Sequence, residues 1–366
     1  MNTKIPKKRL RSGFTTGACA AAAAKAACHL LLCGERLSEV SIPFPDGERR
    51  SFAVASCHLL DRGHALASII KDAGDDPDVT NGAEIVASIA IADGLGDEPI
   101  ALRFVAGAGV GTVTKPGLAL PVGEPAINPI PRLMIGQAVG EAFAAYPRSG
   151  PLVITISISI ENGLELAKKT LNQRLGIIGG LSILGSTGIV RPVSAEAWTA
   201  TILASMAVAK ETGNREIVLS TGRSSEMAVQ KSLGLPVEAY VMMGDYLHFS
   251  LSAAARSEFQ KVHLAGMWAK ILKAAMAIPQ THVRHGALEV SEAAALIGKL
   301  AGDPALAREL AGANTAREIY SRLAASQRQD LILKVCETAK HYAEGIALRQ
   351  VAVYLVTSPS QVVCHV

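Results

Sequence analysis

EIVLSTGRSSEMAVQKSLGLPVEAYVMMGD, residues 216–245, carries one pattern twice. Glu216–Ser220 is a short apolar run of the kind that forms a buried strand. It passes through Thr221-Gly222-Arg223 into a helix that Gly234 stops, with Pro236 just beyond. Ala239–Met243 then repeats the strand and leads through Gly244-Asp245-Tyr246 into the next helix. A third copy follows, in which Val262–Leu264 passes through Ala265-Gly266 into a helix. Trp268, Ile271, Leu272, Ala275 and Met276 form one apolar stripe along that helix. Three consecutive strand-glycine-helix units imply a parallel sheet with right-handed crossovers. Two or three further helices, from Ser291 to about Leu348, precede a last strand at Val351–Val356. The second half, residues 161–366, is therefore read as a Rossmann-like α/β domain with a mostly parallel sheet.

Residues 1–160 have another rhythm. Thr15 or Thr16 is the N-cap of an alanine-rich helix, Ala18 to Leu32, stopped by Gly34. Its side chains are small all round, so it is expected to lie buried, close to its neighbours. Short strands are predicted at Val40–Ile42, Ser51–Cys57, Ala65–Ile70, Ile85–Ile91 and Ala101–Val105, separated by Pro, Gly and Asp clusters. A Gly- and Pro-rich stretch from Gly107 to Pro131 leads to a helix, Leu133 to Ala145. Leu152–Ile160 alternates polar and apolar residues as a strand. This half reads as an α+β domain, and no linker marks the boundary placed near Glu161.

Composition narrows the function. The 366 residues are 49% apolar and 19% charged, which excludes a disordered chain. The longest uncharged stretch, Leu175 to Val190, holds five glycines and falls short of the roughly 18 residues of a membrane span. The net charge of +4 is weak for a nucleic-acid binder. Lys4, Lys7, Lys8, Arg9 and Arg11 form the one basic concentration, either a solvated tail or a phosphate clamp. The apolar core of a signal peptide does not follow it, because Gly13-Phe14-Thr15-Thr16-Gly17 intervenes. Six cysteines without a C-x-x-C suit reduced thiols and a cytoplasmic location. Small and apolar residues are spread evenly, which is compatible with a homo-oligomer.

In an open α/β sheet, ligands sit beyond the carboxyl ends of the strands. Those ends are Thr221-Gly222-Arg223, Gly244-Asp245 and Gly266-Met267. Asp245 stands near the offset at which an acid binds a nucleotide ribose, and helix N-capping explains it equally well. The first loop has one glycine where a dinucleotide fingerprint has three, which favours an adenosine ligand without a pyrophosphate. Lys71-Asp72-Ala73-Gly74-Asp75-Asp76-Pro77-Asp78 packs four carboxylates into seven residues. Their order fails the pattern of a calcium loop. Either mutual repulsion raises one pKa to make a base, or the segment is a capped turn. His282-Val283-Arg284-His285 lacks nearby Cys or carboxylate ligands, so no metal site is assigned. G-x-S-x-G, H-E-x-x-H and the P-loop do not occur. The glycines of residues 175–194 imply close approach of either a ligand or another backbone.

Taken together, Gly13–Gly17, Lys71–Thr80, Thr114–Leu118, Pro121–Pro129, Gly180–Val190, Ser220–Arg223 and Gly244–Tyr246 resemble the CbiD family, the cobalt-precorrin-5B C-1 methyltransferases of anaerobic cobalamin biosynthesis. The resemblance runs from about Arg11 to about Glu289. It implies methyl transfer from S-adenosylmethionine to ring carbon 1 of cobalt-precorrin-5B, giving cobalt-precorrin-6A, with cobalt arriving only inside the substrate. Such a reaction needs neither a resident metal nor a covalent enzyme intermediate. The matched loops would place Thr221, Gly222, Arg223, Gly244 and Asp245 at the cofactor. Arg11, Thr15, Thr16, Lys115, Arg132, Arg174 and Arg191 are the candidates for the polycarboxylate macrocycle, and Asp75 or Asp76 for the base. Two departures stand out: Ala265–Lys270 replaces Gly-x-x-Gly-Lys, and Asn172-Gln173-Arg174 replaces Asn-Pro-Arg.

Two other readings compete. A nicotinamide-dependent oxidoreductase would use the same half, but G-x-G-x-x-G is missing. A non-catalytic tetrapyrrole-binding protein would hold the macrocycle without responding to S-adenosylmethionine.

Overall fold

The computed structural model describes residues 10–95, 99–146, 150–281, 288–358 and 361–366. Lys4, Lys7, Lys8, Arg9 and the His282–His285 motif lie outside them. The chain is mixed α/β and divides between Ser194 and Ala195 into two compact units.

In unit 1, β1 (Gly13–Phe14) leads directly into α1 (Thr16–Cys33). Thr15 caps α1 by accepting from the Ala18 N–H, and Gly34 ends it in the left-handed region at φ 79°, where glycine carries no Cβ penalty. By length and composition α1 passes as a membrane span, yet 78% of it is buried inside the unit. Its alanines, from Ala18 to Ala27, are fully buried, so the expectation of close packing holds. A hairpin follows, β2 (Glu39–Pro43) with β3 (Arg49–Ala53). The predicted strand Ser51–Cys57 is in fact split, because the chain leaves β3 and begins β4 (Ser56–Asp61) in another sheet. β5 (His64–Ile70), β6 (Glu84–Asp93) and β7 (Ile100–Ala106) come next. The short β8 (Gly109–Val110) and β9 (Thr112–Val113) precede α2 (Pro129–Ala145) and β10 (Leu152–Ile160). The main sheet has the order β4-β5-β6-β10-β7. β10 runs antiparallel to β6 and parallel to β7. Leu152, Ile154, Ile156, Ile158 and Ile160 are all buried, and the residues between them half-buried, the period expected of a strand with one core face. They join α1 and α2 in one core.

Residues 161–194 were expected in the second domain and instead complete the first. After α3 (Gly163–Ala167), β11 (Ile177–Ile178) pairs with β9, β12 (Gly180–Leu181) with β8, and β13 (Ile189–Val190) with β1. These two-residue pairings tie the stretch to unit 1, and no sequence period announces them.

Glu141 on α2 fastens this core from outside. It accepts from Arg49 at 2.7 and 2.9 Å and from Lys25 at 2.5 Å, so α1, α2 and the hairpin share one carboxylate. Hydrogen bonding from Arg49, then Lys25, lowers its pKa from 4.5 to about 2. The resulting stability is present above pH 4.5 and is lost as the pH falls toward 2. Glu141→Gln is expected to cost about 1 kcal/mol at neutral pH after solvent screening. It should also flatten the acid limb of the stability–pH curve, measured by urea unfolding between pH 2 and 7; an unchanged limb would count against this linkage.

In unit 2, α4 (Ala195–Glu211) precedes β14 (Glu216–Ser220) and α5 (Arg223–Leu233). β15 (Tyr240–Met242) and α6 (Leu247–Arg256) follow, then β16 (Lys261–Met267) and α7 (Trp268–Ala275). Where two or three helices were expected there are four: α8 (Val290–Ala301), α9 (Pro304–Ala311), α10 (Ala316–Ala325) and α11 (Gln329–Ala347). The chain ends with β17 (Gln350–Ser358) and β18 (Gln361–His365), the latter unforeseen. The sheet order is β15-β14-β16-β17-β18. The first four strands are parallel and β18 closes the edge antiparallel to β17. Side chains alternate across β14: Ile217 and Leu219 enter the core with α6, α7 and α11, and Val218 packs with Val229 of α5. The predicted Ala265-Gly266 loop is strand. Gly266 lies inside β16, where an added Cβ would sit 3.0 Å from Ile271 and 3.3 Å from Thr221.

Candidate functional site

Three sequence motifs of unit 1 close into one knot around β1. On one side β1 pairs with β13, Gly13 opposite Val190 and Phe14 opposite Ile189. On the other, the Phe14 N–H donates to Asp72 O at 2.7 Å and the Asp75 N–H to Arg11 O at 2.9 Å. The chains touch so closely that a Cβ on Gly13 would lie 2.1 Å from the Ala73 carbonyl carbon. One on Gly74 would lie 2.3 Å from Arg11 O. Glycine here serves the close approach of backbone to backbone.

The aspartates of that segment have separate tasks. Asp72 takes both arms of the Arg11 guanidinium, at 2.5 and 2.9 Å, and accepts from the Gly74 N–H. Arg11 therefore drives the Asp72 pKa down to about 2. Asp78 accepts from Lys71, whose side chain is only 1% exposed, at 2.8 Å, and from the Thr80 N–H and hydroxyl. Its pKa also falls: burial opposes ionisation, and Lys71 and Thr80 together outweigh it. Interleaved cations thus replace the mutual repulsion that the sequence suggested, and Asp72 and Asp78 make capped turns. Asp75 accepts from the Arg11 N–H at 2.7 Å, and Asp76 from the Val193 N–H at 3.0 Å.

The remaining substrate candidates of this unit fall into four groups. Thr15 and Thr16 are both buried. The Thr15 hydroxyl caps α1; that of Thr16 donates to Leu184 O and accepts from Leu184 N–H. The Thr15 hydroxyl thus closes the first turn of α1, and the Thr16 hydroxyl joins α1 to Leu184. Arg132 donates to Ile127 O, Pro125 O and Glu124, and lies over the Phe104 ring, so it locks the Pro121–Pro129 segment onto α2. Lys115 packs its stem where Gly176 has no side chain, 2.5 Å from the added Cβ, and Arg174 stands two residues before that glycine. Arg191 is exposed, directly after β13. Arg11, Asp75, Asp76 and Arg191 are therefore the candidates the fold brings to one surface region.

Unit 2 presents a different site. With the order β15-β14-β16, the chain crosses from β14 to β15 on one side and then returns past β14 to β16 on the other, so the sheet has its switch point between β14 and β16. Gly222, at φ 170° and ψ 174°, caps α5 without any side-chain cap hydrogen bond. The first-turn N–H groups of α5 thus have no side-chain cap. A Cβ at Gly222 or at Gly244 would meet nothing within 4 Å. Thr221 donates its N–H to Ala265 O, and its hydroxyl lies 3.4 Å from that of Ser225. Arg223 is exposed at the start of α5.

Asp245 is not the cap of α6 but is held by an ion pair. Its carboxylate is ion-paired with Lys270 and accepts from the Thr281 hydroxyl at 3.2 Å. Lys270 and the buried Lys273 both donate to Thr281 O, at 2.9 and 3.1 Å. The N-cap of α6 is Tyr246, with no side-chain cap bond. Lys270, at the end of the Ala265–Lys270 segment, is thus the residue that fixes Asp245. Burial, then the neighbouring Lys270 charge, lowers the Lys273 pKa. Sequence reading missed Lys270, Lys273 and Thr281, because their spacing from Asp245 follows no local pattern.

The family model for CbiD matches residues 3–192, and that for the CbiD C-terminal domain matches residues 280–365. A relative from Desulfotalea psychrophila, named cobalt-precorrin-5B C(1)-methyltransferase, is 54% identical over 99% of both chains. Relatives of the same name from Geotalea daltonii and Geobacter sulfurreducens are 46% and 48% identical; they cover 91% and 93% of this chain and 92% and 94% of their own. A solved structure of a cobalamin biosynthesis protein (cbiD) from Archaeoglobus fulgidus aligns over 86% of this chain and 84% of its own. Its 24% identity and TM-score of 0.38 are too low for a comparison of folds. Family models covering most of the chain, and identity that runs its full length, lead to one conclusion: this chain belongs to the CbiD family.

Proposed function

We propose that this chain methylates C-1 of cobalt-precorrin-5B to give cobalt-precorrin-6A in the anaerobic cobalamin pathway, with S-adenosylmethionine as donor. The observation that carries the reading is the 54% identity over 99% of both chains to a relative named for this C(1)-methyltransferase activity. S-adenosylmethionine supplies the methyl group and a sulfide leaving group. As the new carbon–carbon bond forms, the carbon–sulfur bond breaks, its electron pair stays on sulfur, and the macrocycle gives up a proton.

The second unit, Rossmann-like in its parallel strands, is assigned the donor. The uncapped α5 N-terminus and Arg223 suit a carboxylate, and the absence of side chains at Gly222 and Gly244 allows close approach of an adenosine. Thr221 offers a hydroxyl at the same loop. Asp245 holds the Gly244 turn in shape through Lys270 and Thr281, a positioning role in place of a ribose contact. In unit 1, Arg11 and Arg191 are assigned to carboxylates of the tetrapyrrole substrate. Lys115 and Arg174 are assigned to the same substrate from the Gly176 loop. Free cysteines throughout go with a cytoplasmic enzyme.

Asp75 or Asp76 is assigned the proton. Asn at either position still accepts the backbone N–H that each aspartate now holds, so the knot should survive. Asp75→Asn and Asp76→Asn are each expected to slow turnover about tenfold, less than a lone general base would give, because the neighbour partly substitutes. Affinity for S-adenosylhomocysteine should stay the same, and unchanged turnover in both variants would discard the role. The function itself is tested by incubating the chain with cobalt-precorrin-5B and methyl-labelled S-adenosylmethionine. One label per macrocycle, at C-1, is expected. Tetrapyrrole binding without label transfer would leave only the non-catalytic reading.

A further inference from the structure

We propose that the C-terminal end of α1 is a zinc site, formed by His29, Cys33 and Glu35, separate from the methyl-transfer machinery. His29 and Cys33 are four residues apart and so share one helix face. Gly34 in its left-handed conformation turns the chain sharply after Cys33, and Glu35 returns to the same spot. One donor atom from each of the three lies within 4.8 Å of the other two. Tetrahedral zinc, with bonds of about 2.0–2.3 Å, needs donors roughly 3.5 Å apart. The exposed Glu35 side chain can supply that contraction by rotating.

Three features point to a cation rather than to chance proximity. The Nε2 of His29 is buried and has no hydrogen-bond partner, which is costly unless something fills the place. The Tyr146 ring stands edge-on to the imidazole, centroids 5.5 Å apart, and fixes its plane. The last turn of α1 carries no basic residue, so the negative end of the helix dipole is left for a cation. Cys33 presently donates its thiol proton to His29 O at 3.0 Å; binding would release that proton and leave a thiolate on the metal. Nitrogen, sulfur and oxygen donors together suit zinc, with water in the fourth position.

The test uses the full chain, stripped with a chelator and titrated with zinc against a chromogenic competitor. Cobalt(II) serves as a second probe, because a thiolate ligand gives it a charge-transfer band in the near ultraviolet. One equivalent of zinc is expected. Cys33→Ala should remove the cobalt–thiolate band and weaken zinc about a hundredfold, and Glu35→Gln should weaken it about tenfold. Cys364→Ser should bind as the parent does, which excludes the other half-buried thiol. Glu35 is exposed, so its variant keeps the test valid if the Cys33 variant misfolds. No zinc bound at micromolar free metal would overturn the proposal, as would parental affinity in both Cys33→Ala and Glu35→Gln.

Discussion

Gly13→Val is expected to destabilise unit 1 by about 3 kcal/mol or more, at or beyond the upper end for overpacking. The reason is backbone rather than side-chain contact. The first added carbon would already lie 2.1 Å from the Ala73 carbonyl carbon and 2.4 Å from the Gly74 nitrogen. Retreat is blocked, because Gly13 and Phe14 are paired with β13 behind them. Relief requires losing either that ladder or the bonds from Phe14 and Asp75 to residues 72 and 11. Urea unfolding checks the expectation. Gly140→Ala is the control: it lies in the middle of α2 with nothing within 4 Å of the added carbon. It should leave stability unchanged or raise it by about 0.5–1 kcal/mol. A Gly13→Val protein as stable as its parent would show that the three motifs do not close on β1.

Gly222→Val is the complementary case. At φ 170° the backbone is extended and accepts any residue, and the added carbon meets no protein atom. Stability should therefore stay within about 0.5 kcal/mol of the parent. Affinity for S-adenosylhomocysteine should fall about a hundredfold or more, because the branched side chain would stand where the ligand approaches the α5 N–H groups, at a cost near 3 kcal/mol. Calorimetric titration of both proteins reads this directly. Equal affinity would move the donor away from the β14 loop.

Sequence reading served well where the deciding interactions are local. β10 and β14 lie where alternation and an apolar run put them, since a strand's own residues set its two faces. The ends of α1 follow from Thr15 and Gly34. Non-local contacts were the hidden part. Residues 161–194 carry two-residue strands whose partners lie around residues 13, 109 and 112, so the domain boundary fell too early. Gly266 looked like a loop because the sequence does not show that Ile271 and Thr221 crowd it within a central strand. The ion pair of Asp245 was hidden for the same reason, because Lys270 and Thr281 reach it only after the chain has folded. The Asp cluster shows the same limit: composition counts carboxylates, and only the fold shows that Arg11 and Lys71 stand among them.

The donor site proposed for this chain lies at the carboxyl end of β14. Hydrogen–deuterium exchange of the full chain, with and without saturating S-adenosylhomocysteine, tests it most directly. Slowed exchange is expected at residues 221–226 and 243–247. Protection confined to residues 11–17, 71–78 and 184–193, with the β14 loop unchanged, would contradict it and place the donor in unit 1.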